Sequence, residues 1–202
     1  VALDTRERVR KAAVKLFADK GFHGTGIREL AQESRLSTAS LYHYMGSKED
    51  LLVDIMRTCL QSLRDSATAA VADVRDPVQR LTTLVKLHVK AHARMPKETW
   101  IVDNEIHVLS PALRRSVIAL RDEYERLWAE AISDGVERGV FDTAHPAVTR
   151  IALLEMCNGV ARWYSPRGSL SLDDLAEHYA DMALRVLGAC PHGSAEGQSK
   201  SE

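Results

Sequence analysis

The sequence predicts an all-α fold of nine helices, in which an N-terminal helix-turn-helix precedes a larger helical domain. Three observations predict it. Apolar residues recur at three- and four-residue spacing along nearly the whole chain. No run sustains the period-two alternation of a strand, and Pro and Gly are sparse. Several prolines stand where helices begin, as in Asp76-Pro77, Ser110-Pro111 and His145-Pro146.

The first helix carries Val9, Ala12, Ala13, Leu16 and Phe17 on one face, and Gly21 is expected to cap its C-terminus. A short helix over about 27–34 follows, with Thr25 as its expected N-cap, then another over about 38–44. Ser47 caps a long helix running from Lys48 to about Ala70. Pro77 opens a helix to about Arg94, Pro96 stops it, and a further helix begins near Lys97. A helix of more than twenty residues runs from Pro111 to about Glu137, where Gly139 ends it. Pro146 opens the next, to about Tyr164. The turn cluster Ser165-Pro166-Arg167-Gly168 separates it from a last helix over about 172–187. This organisation reads as a helix-turn-helix unit at 1–47, a larger helical unit at 48–190, and a polar Gly/Ser-rich tail at 191–202 expected to be disordered.

Composition narrows the function classes. Of 202 residues, 45% are hydrophobic and 27% charged, as in ordinary globular proteins, and the net charge is only -1. A globally basic nucleic-acid coat is excluded, so any DNA contact must come from a local basic surface. No apolar stretch approaches the ~20 residues of a membrane span, and Val1-Ala2-Leu3-Asp4 lacks the form of a signal peptide. Cys59, Cys157 and Cys190 are far apart and form no CxxC pair. The expectation is a cytoplasmic protein without cofactor or membrane partner.

Residues 25–44 hold the sharpest signal. Two short helices flank the turn Arg35-Leu36-Ser37. Ile27, Leu30, Ala31, Leu36 and Leu41 are spaced to pack against Val9, Leu16 and Phe17. That leaves Thr38, Ala39, Ser40, Tyr42, His43 and Tyr44 projecting from the second helix. Hydroxyls and an imidazole suit base edges and phosphate oxygens in a major groove. Lys48 at the next helix start adds a natural phosphate grip. The first 48 residues hold nine Lys and Arg against five acids, so positive charge is concentrated here.

These residues resemble the N-terminal signature of TetR-family regulators. The resemblance runs through Gly24-Thr25-Gly26-Ile27-Arg28-Glu29-Leu30-Ala31, Leu36-Ser37-Thr38-Ala39-Ser40-Leu41-Tyr42-His43-Tyr44 and Ser47-Lys48-Glu49-Asp50-Leu51-Leu52. It implies a homodimer that sets two recognition helices in successive major grooves of a palindromic double-stranded operator. Carried over by position, Thr25, Arg28, Tyr42, Tyr44 and Lys48 become phosphate contacts, and Thr38, Ser40 and His43 face bases. Two departures stand out: Arg35 where the family usually has Gly in the turn, and Tyr44 where it usually has Phe. An arginine must adopt that turn at some cost.

The remainder is read from its residues. A mostly apolar cavity with a few polar groups is what a small effector needs. The candidates are Leu84, His88, Trp100, Asn104, Glu105, Tyr124, Trp128, Asn158, Arg162 and Trp163, with simple core packing as the alternative for the aliphatics. Glu105 with Asn104 is the expected polar pair. His88 and His92 share a face four residues apart, and with Glu105 and His107 they make a zinc-dependent hydrolase the rival reading. A DNA-binding protein without ligand is a third.

The segment from Gly159 to Gly168, with Glu137-Arg138-Gly139-Val140-Phe141, resembles a TetR subgroup that represses lipid and steroid catabolism, some of whose members respond to acyl-CoA thioesters. That resemblance implies that Arg162 and Arg167 meet CoA phosphates and Trp163 stacks on a ring. Alternatively, Arg162 pairs with an acid and Trp163 packs at a dimer seam. The last two helices carry apolar faces suited to an intersubunit four-helix bundle, with Met156, Leu175, Tyr179, Met182 and Val186 as interface residues.

Overall fold

The computed structural model describes residues 4–189; the tail expected at 191–202 and Cys190 lie outside the described residues. Those residues form ten α-helices: α1 (Thr5–Gly24), α2 (Ile27–Glu33), α3 (Thr38–Met45), α4 (Lys48–Val71), α5 (Pro77–Arg94), α6 (Pro96–Asn104), α7 (Pro111–Glu137), α8 (Pro146–Asn158), α9 (Val160–Trp163) and α10 (Leu172–Val186), with a 3-10 turn at Ile106–Val108. The count exceeds nine because the helix expected to run from Pro146 to Tyr164 is divided at Gly159, the residue type with the weakest helix preference short of proline.

Local signals account for most boundaries. Ser47 accepts from the Asp50 amide at 2.9 Å while Asp50 Oδ2 accepts from the Ser47 amide at 3.0 Å, a reciprocal capping box that starts α4. Asp76 caps α5 through the Gln79 amide at 2.8 Å. Ser171 caps α10 through the Asp174 amide at 3.1 Å. Ser110 does not cap α7 with its side chain; its amide instead donates to Glu49 Oε1 of α4. Gly139 takes φ 68° after α7, the left-handed conformation that ends a helix. Gly135 lies under the Phe141 ring so closely that a β-carbon there would stand 2.0 Å from a ring carbon. That close approach folds the chain back over the end of α7.

Two apolar clusters hold the helices together. One buries Leu81, Leu84, Val85, Trp128, Leu153 and Leu175, joining α5, α7, α8 and α10 to the end of α4. The other buries Val9, Phe17, Leu30, Leu41, Leu52 and Ile55 of α1–α4, and it continues into Ile101 and Val102 of α6, Leu109, and Val117 of α7. Leu63 of α4 packs against both. The N-terminal head therefore shares its core with α6 and α7, and the packing does not stop at residue 47. No helix among the described residues is long and apolar enough to cross a membrane.

Candidate functional site

The α2–α3 turn is built from local hydrogen bonds. The Ser34 hydroxyl donates to the Leu30 carbonyl at 2.6 Å, and the Leu36 amide donates to the Ala31 carbonyl at 2.9 Å across Arg35, which takes φ 56°. Ser37 then caps α3 through the Ser40 amide at 3.1 Å. Leu41 and Met45 turn inward, which leaves Thr38, Ser40, Tyr42, His43 and Tyr44 exposed along the outer face, and Arg28 is exposed on α2. Lys15–Glu33 at 2.7 Å and Lys20–Glu29 tie α1 to α2 and neutralise two of the head's acids.

Two expected phosphate contacts point elsewhere. Thr25 is 1% exposed; its hydroxyl donates to the carbonyls of Leu16 and Gly21, and Gly26 rather than Thr25 stands at the α2 N-cap. The Lys48 ammonium donates to the carbonyls of Phe22 (2.8 Å) and Thr25 (3.0 Å) and lies 4.2 Å from the centre of the Phe22 ring. Desolvation lowers its pKa below that of an exposed lysine. Both residues brace the α1–α2 corner against α4.

A cavity of about 190 Å³ opens among α4 to α9. Of the expected ligand residues, His88, Trp100, Asn104, Tyr124, Asn158 and Arg162 line it. Leu84 and Trp128 do not; both are fully buried core. Trp163 also lies outside it and is 56% exposed. Glu105 is the clearest correction: its carboxylate faces Gly21 of α1. Trp100, Asp103 and Asn104 share one face of α6 at three- and four-residue spacing, and residue 105 falls past that face. The same spacing was the signal for Asp103, which sequence reasoning missed along with Arg121 and Glu125; His92, on the same face as His88, also lines the wall.

The polar wall is ordered. His88 is sandwiched between hydrogen bonds of 2.8 Å to the Tyr124 hydroxyl and to Asn158 Oδ1. Burial, and then the neighbouring His92, hold its pKa well below 6.5. Burial pushes the Tyr124 phenol up. His92 stacks on His88 with ring centres 4.0 Å apart. Among the described residues no three His, Cys, Asp or Glu side chains converge as a metal requires. Glu105 faces α1 and His107 is exposed on the 3-10 turn, so the four residues of the hydrolase reading are not brought together.

On the outer side, Val148 of α8, Trp163, and Met182 and Val186 of α10 are exposed, and Ile151 of α8 is exposed where it lines the cavity. Met182 and Val186 thus remain free for a partner and Met156 is half-buried, but Leu175 and Tyr179 are buried in the chain's own core.

Comparison with known proteins decides the family. The model described as bacterial regulatory proteins, tetR family, matches residues 9–55, and the tetracyclin repressor-like C-terminal domain matches residues 74–187. The chain belongs to the TetR family. Among TetR-family relatives, the HTH-type transcriptional repressor KstR2 of Rhodococcus jostii (strain RHA1) is 29% identical over 189 residues, covering 93% of this chain and 92% of the relative. The regulator PfmR from Thermus thermophilus has 35% identity and a TM-score of 0.78, over 88% of this chain and 97% of that one. AibR, solved in complex with isovaleryl coenzyme A and operator DNA, has 27% identity and a TM-score of 0.80, over 89% and 97%. Against the TetR-family pattern, the Arg35 departure has a structural meaning. The position requires positive φ, which glycine adopts freely and arginine does not.

Proposed function

We propose that this chain is a ligand-responsive transcriptional repressor that binds a palindromic operator as a homodimer and is released by a small hydrophobic effector such as an acyl-CoA thioester. The observation that carries this is the double duty of α6. One face of it lines the cavity through Trp100, Val102, Asp103 and Asn104, and the same helix meets the head through Lys97–Asp19 at 2.7 Å and the Glu105–Gly21 contact. A ligand that prefers one position of α6 must then shift the head's equilibrium by its differential affinity.

The DNA face rests on Thr38, Ser40, Tyr42, His43 and Tyr44 with Arg28. Their hydroxyls, imidazole and guanidinium match groove edges and phosphates. The dimer rests on Val148, Met182 and Val186, exposed apolar residues on two neighbouring helices. For the effector, AibR with isovaleryl coenzyme A supports an acyl-CoA thioester, and the resemblance of Gly159–Gly168 to the subgroup that represses lipid and steroid catabolism supports one from such a route. Arg162, exposed at the cavity rim, suits an anionic headgroup.

Fluorescence anisotropy of the chain on DNA from its own upstream region, titrated with acyl-CoA thioesters, tests the reading. Tight binding relieved by a thioester is expected. Binding that no thioester alters, with the cavity accepting one, would overturn the release mechanism.

A further inference from the structure

The inner wall of the cavity fixes protons on two stacked histidines. Asn158 Oδ1 accepts from His88 Nε2, so His88 Nδ1 is the acceptor for the Tyr124 hydroxyl, each at 2.8 Å. His92 Nδ1 lies 3.0 Å from the His88 carbonyl, which can only accept, so that nitrogen carries the proton. His92 Nε2 in the neutral ring is then a bare lone pair. It is buried without a hydrogen-bond partner, in a residue 2% exposed that lines the cavity.

The polar atom nearest to hand is Asp103 Oδ2 at 3.4 Å, a second acceptor, while Asp103 Oδ1 faces the Arg121 guanidinium at 3.7 Å. While the His92 ring is neutral, two acceptors stand side by side in the cavity wall, one of them buried and unpaired, and a donor is needed to relieve them: a ligand's, or a proton on Nε2 that pairs His92 with Asp103. We infer that the effector donates a hydroxyl proton to His92 Nε2, so that the cavity selects hydroxylated ligands over their ketone or hydrocarbon counterparts. This rests on the cavity being the effector site. It makes His92 a specificity-determining residue, and it places the ligand's donor at the inner end, against α5 and α6, with the rim at Arg162 left for its remaining part.

Titration calorimetry of the full chain with cyclohexanol and with cyclohexanone tests it, since the two differ by one hydrogen-bond donor and both are small enough to enter. The alcohol is expected to bind about tenfold more tightly, the worth of one buried hydrogen bond. In His92→Phe, which keeps the stacked ring and deletes Nε2, the two affinities should become equal. Equal affinities, a preference for the ketone, or no binding of either by the unaltered chain would overturn the inference, whether or not the variant folds. Operator anisotropy with butyryl-CoA, run alongside, separates the two readings. Release by the thioester with no alcohol preference overturns the hydroxyl site alone. An alcohol preference without any effect of alcohol or thioester on operator binding upholds it and overturns the effector role.

Discussion

The Glu105 carboxylate lies against Gly21, with Oε1 3.2 Å from where a β-carbon on residue 21 would stand, and Gly21 itself takes φ 75° at the kink that ends the regular part of α1. Two demands therefore meet at one position: a left-handed backbone and an absent side chain. They sit where the cavity helix touches the DNA-binding head.

Gly21→Ala is expected to destabilise the chain by about 1–3 kcal/mol, from the positive φ and the crowding of Glu105 together. Urea denaturation measures it. Pairing it with Glu105→Ala should recover part of the loss, because only the crowding is relieved. Strictly additive effects would mean that the contact does not couple the two residues.

Lys48 offers a cleaner test of role. As a brace, its replacement by Met leaves the Thr25 carbonyl unpaired and the Phe22 carbonyl with only the Thr25 amide, and should lower stability by about 1–3 kcal/mol. The salt dependence of operator binding should stay unchanged. Arg28→Ala, from an exposed position, should instead reduce the log–log salt slope by about one and leave stability alone. A drop in slope for Lys48→Met would restore the phosphate role.

Arg35→Gly is expected to stabilise the head. A non-glycine residue in the left-handed region costs on the order of 1–2 kcal/mol, partly offset by the greater freedom of glycine in the unfolded chain. The net gain should be about 0.5–1 kcal/mol in thermal denaturation, and a loss would show that the Arg35 side chain makes a compensating contact.

His88 sets an acid limit. Its folded pKa is depressed below 6.5 by burial, so below that pH the unfolded state binds the extra proton and stability falls as pH falls. The contribution is complete above 6.5 and is lost through the range beneath it, with a slope up to roughly 1.4 kcal/mol per pH unit. Asp50, held low by the Ser47 hydrogen bonds, and Asp173, held low by Lys90, act only below 3.8, so the windows are separate. Denaturation midpoints from neutral pH down to about 5 should show the slope, and His88→Phe should flatten it.

The helical fold was legible because its signals are local. Spacing, caps and prolines in Asp76-Pro77 and Ser47–Asp50 act within a turn or two of chain. The exposed face of α3 was legible for the same reason, since Leu41 fixes which side is buried. Roles that depend on what lies across the molecule were not. Lys48 reads as a phosphate grip until Phe22 and Thr25, more than twenty residues away, are brought beneath it. Glu105 reads as a pocket acid until α6 is rotated against α1. Leu175 and Tyr179 carry an apolar stripe that suits a partner or the chain's own α5 equally, and only the packing of α10 decides between them.

The continuity of the head's core with α6 and α7 bears on how such a chain can be recombined. A transplant cut after residue 47 would strip Leu52, Ile55, Ile101, Val102, Leu109 and Val117 from beneath Val9, Phe17, Leu30 and Leu41, leaving a wound on both donor and recipient. The exchangeable module is not contiguous in sequence. Swapping operator preference between relatives calls for changing the outer residues of α3 in place, and a spliced chimera should betray itself by rapid proteolysis within α1.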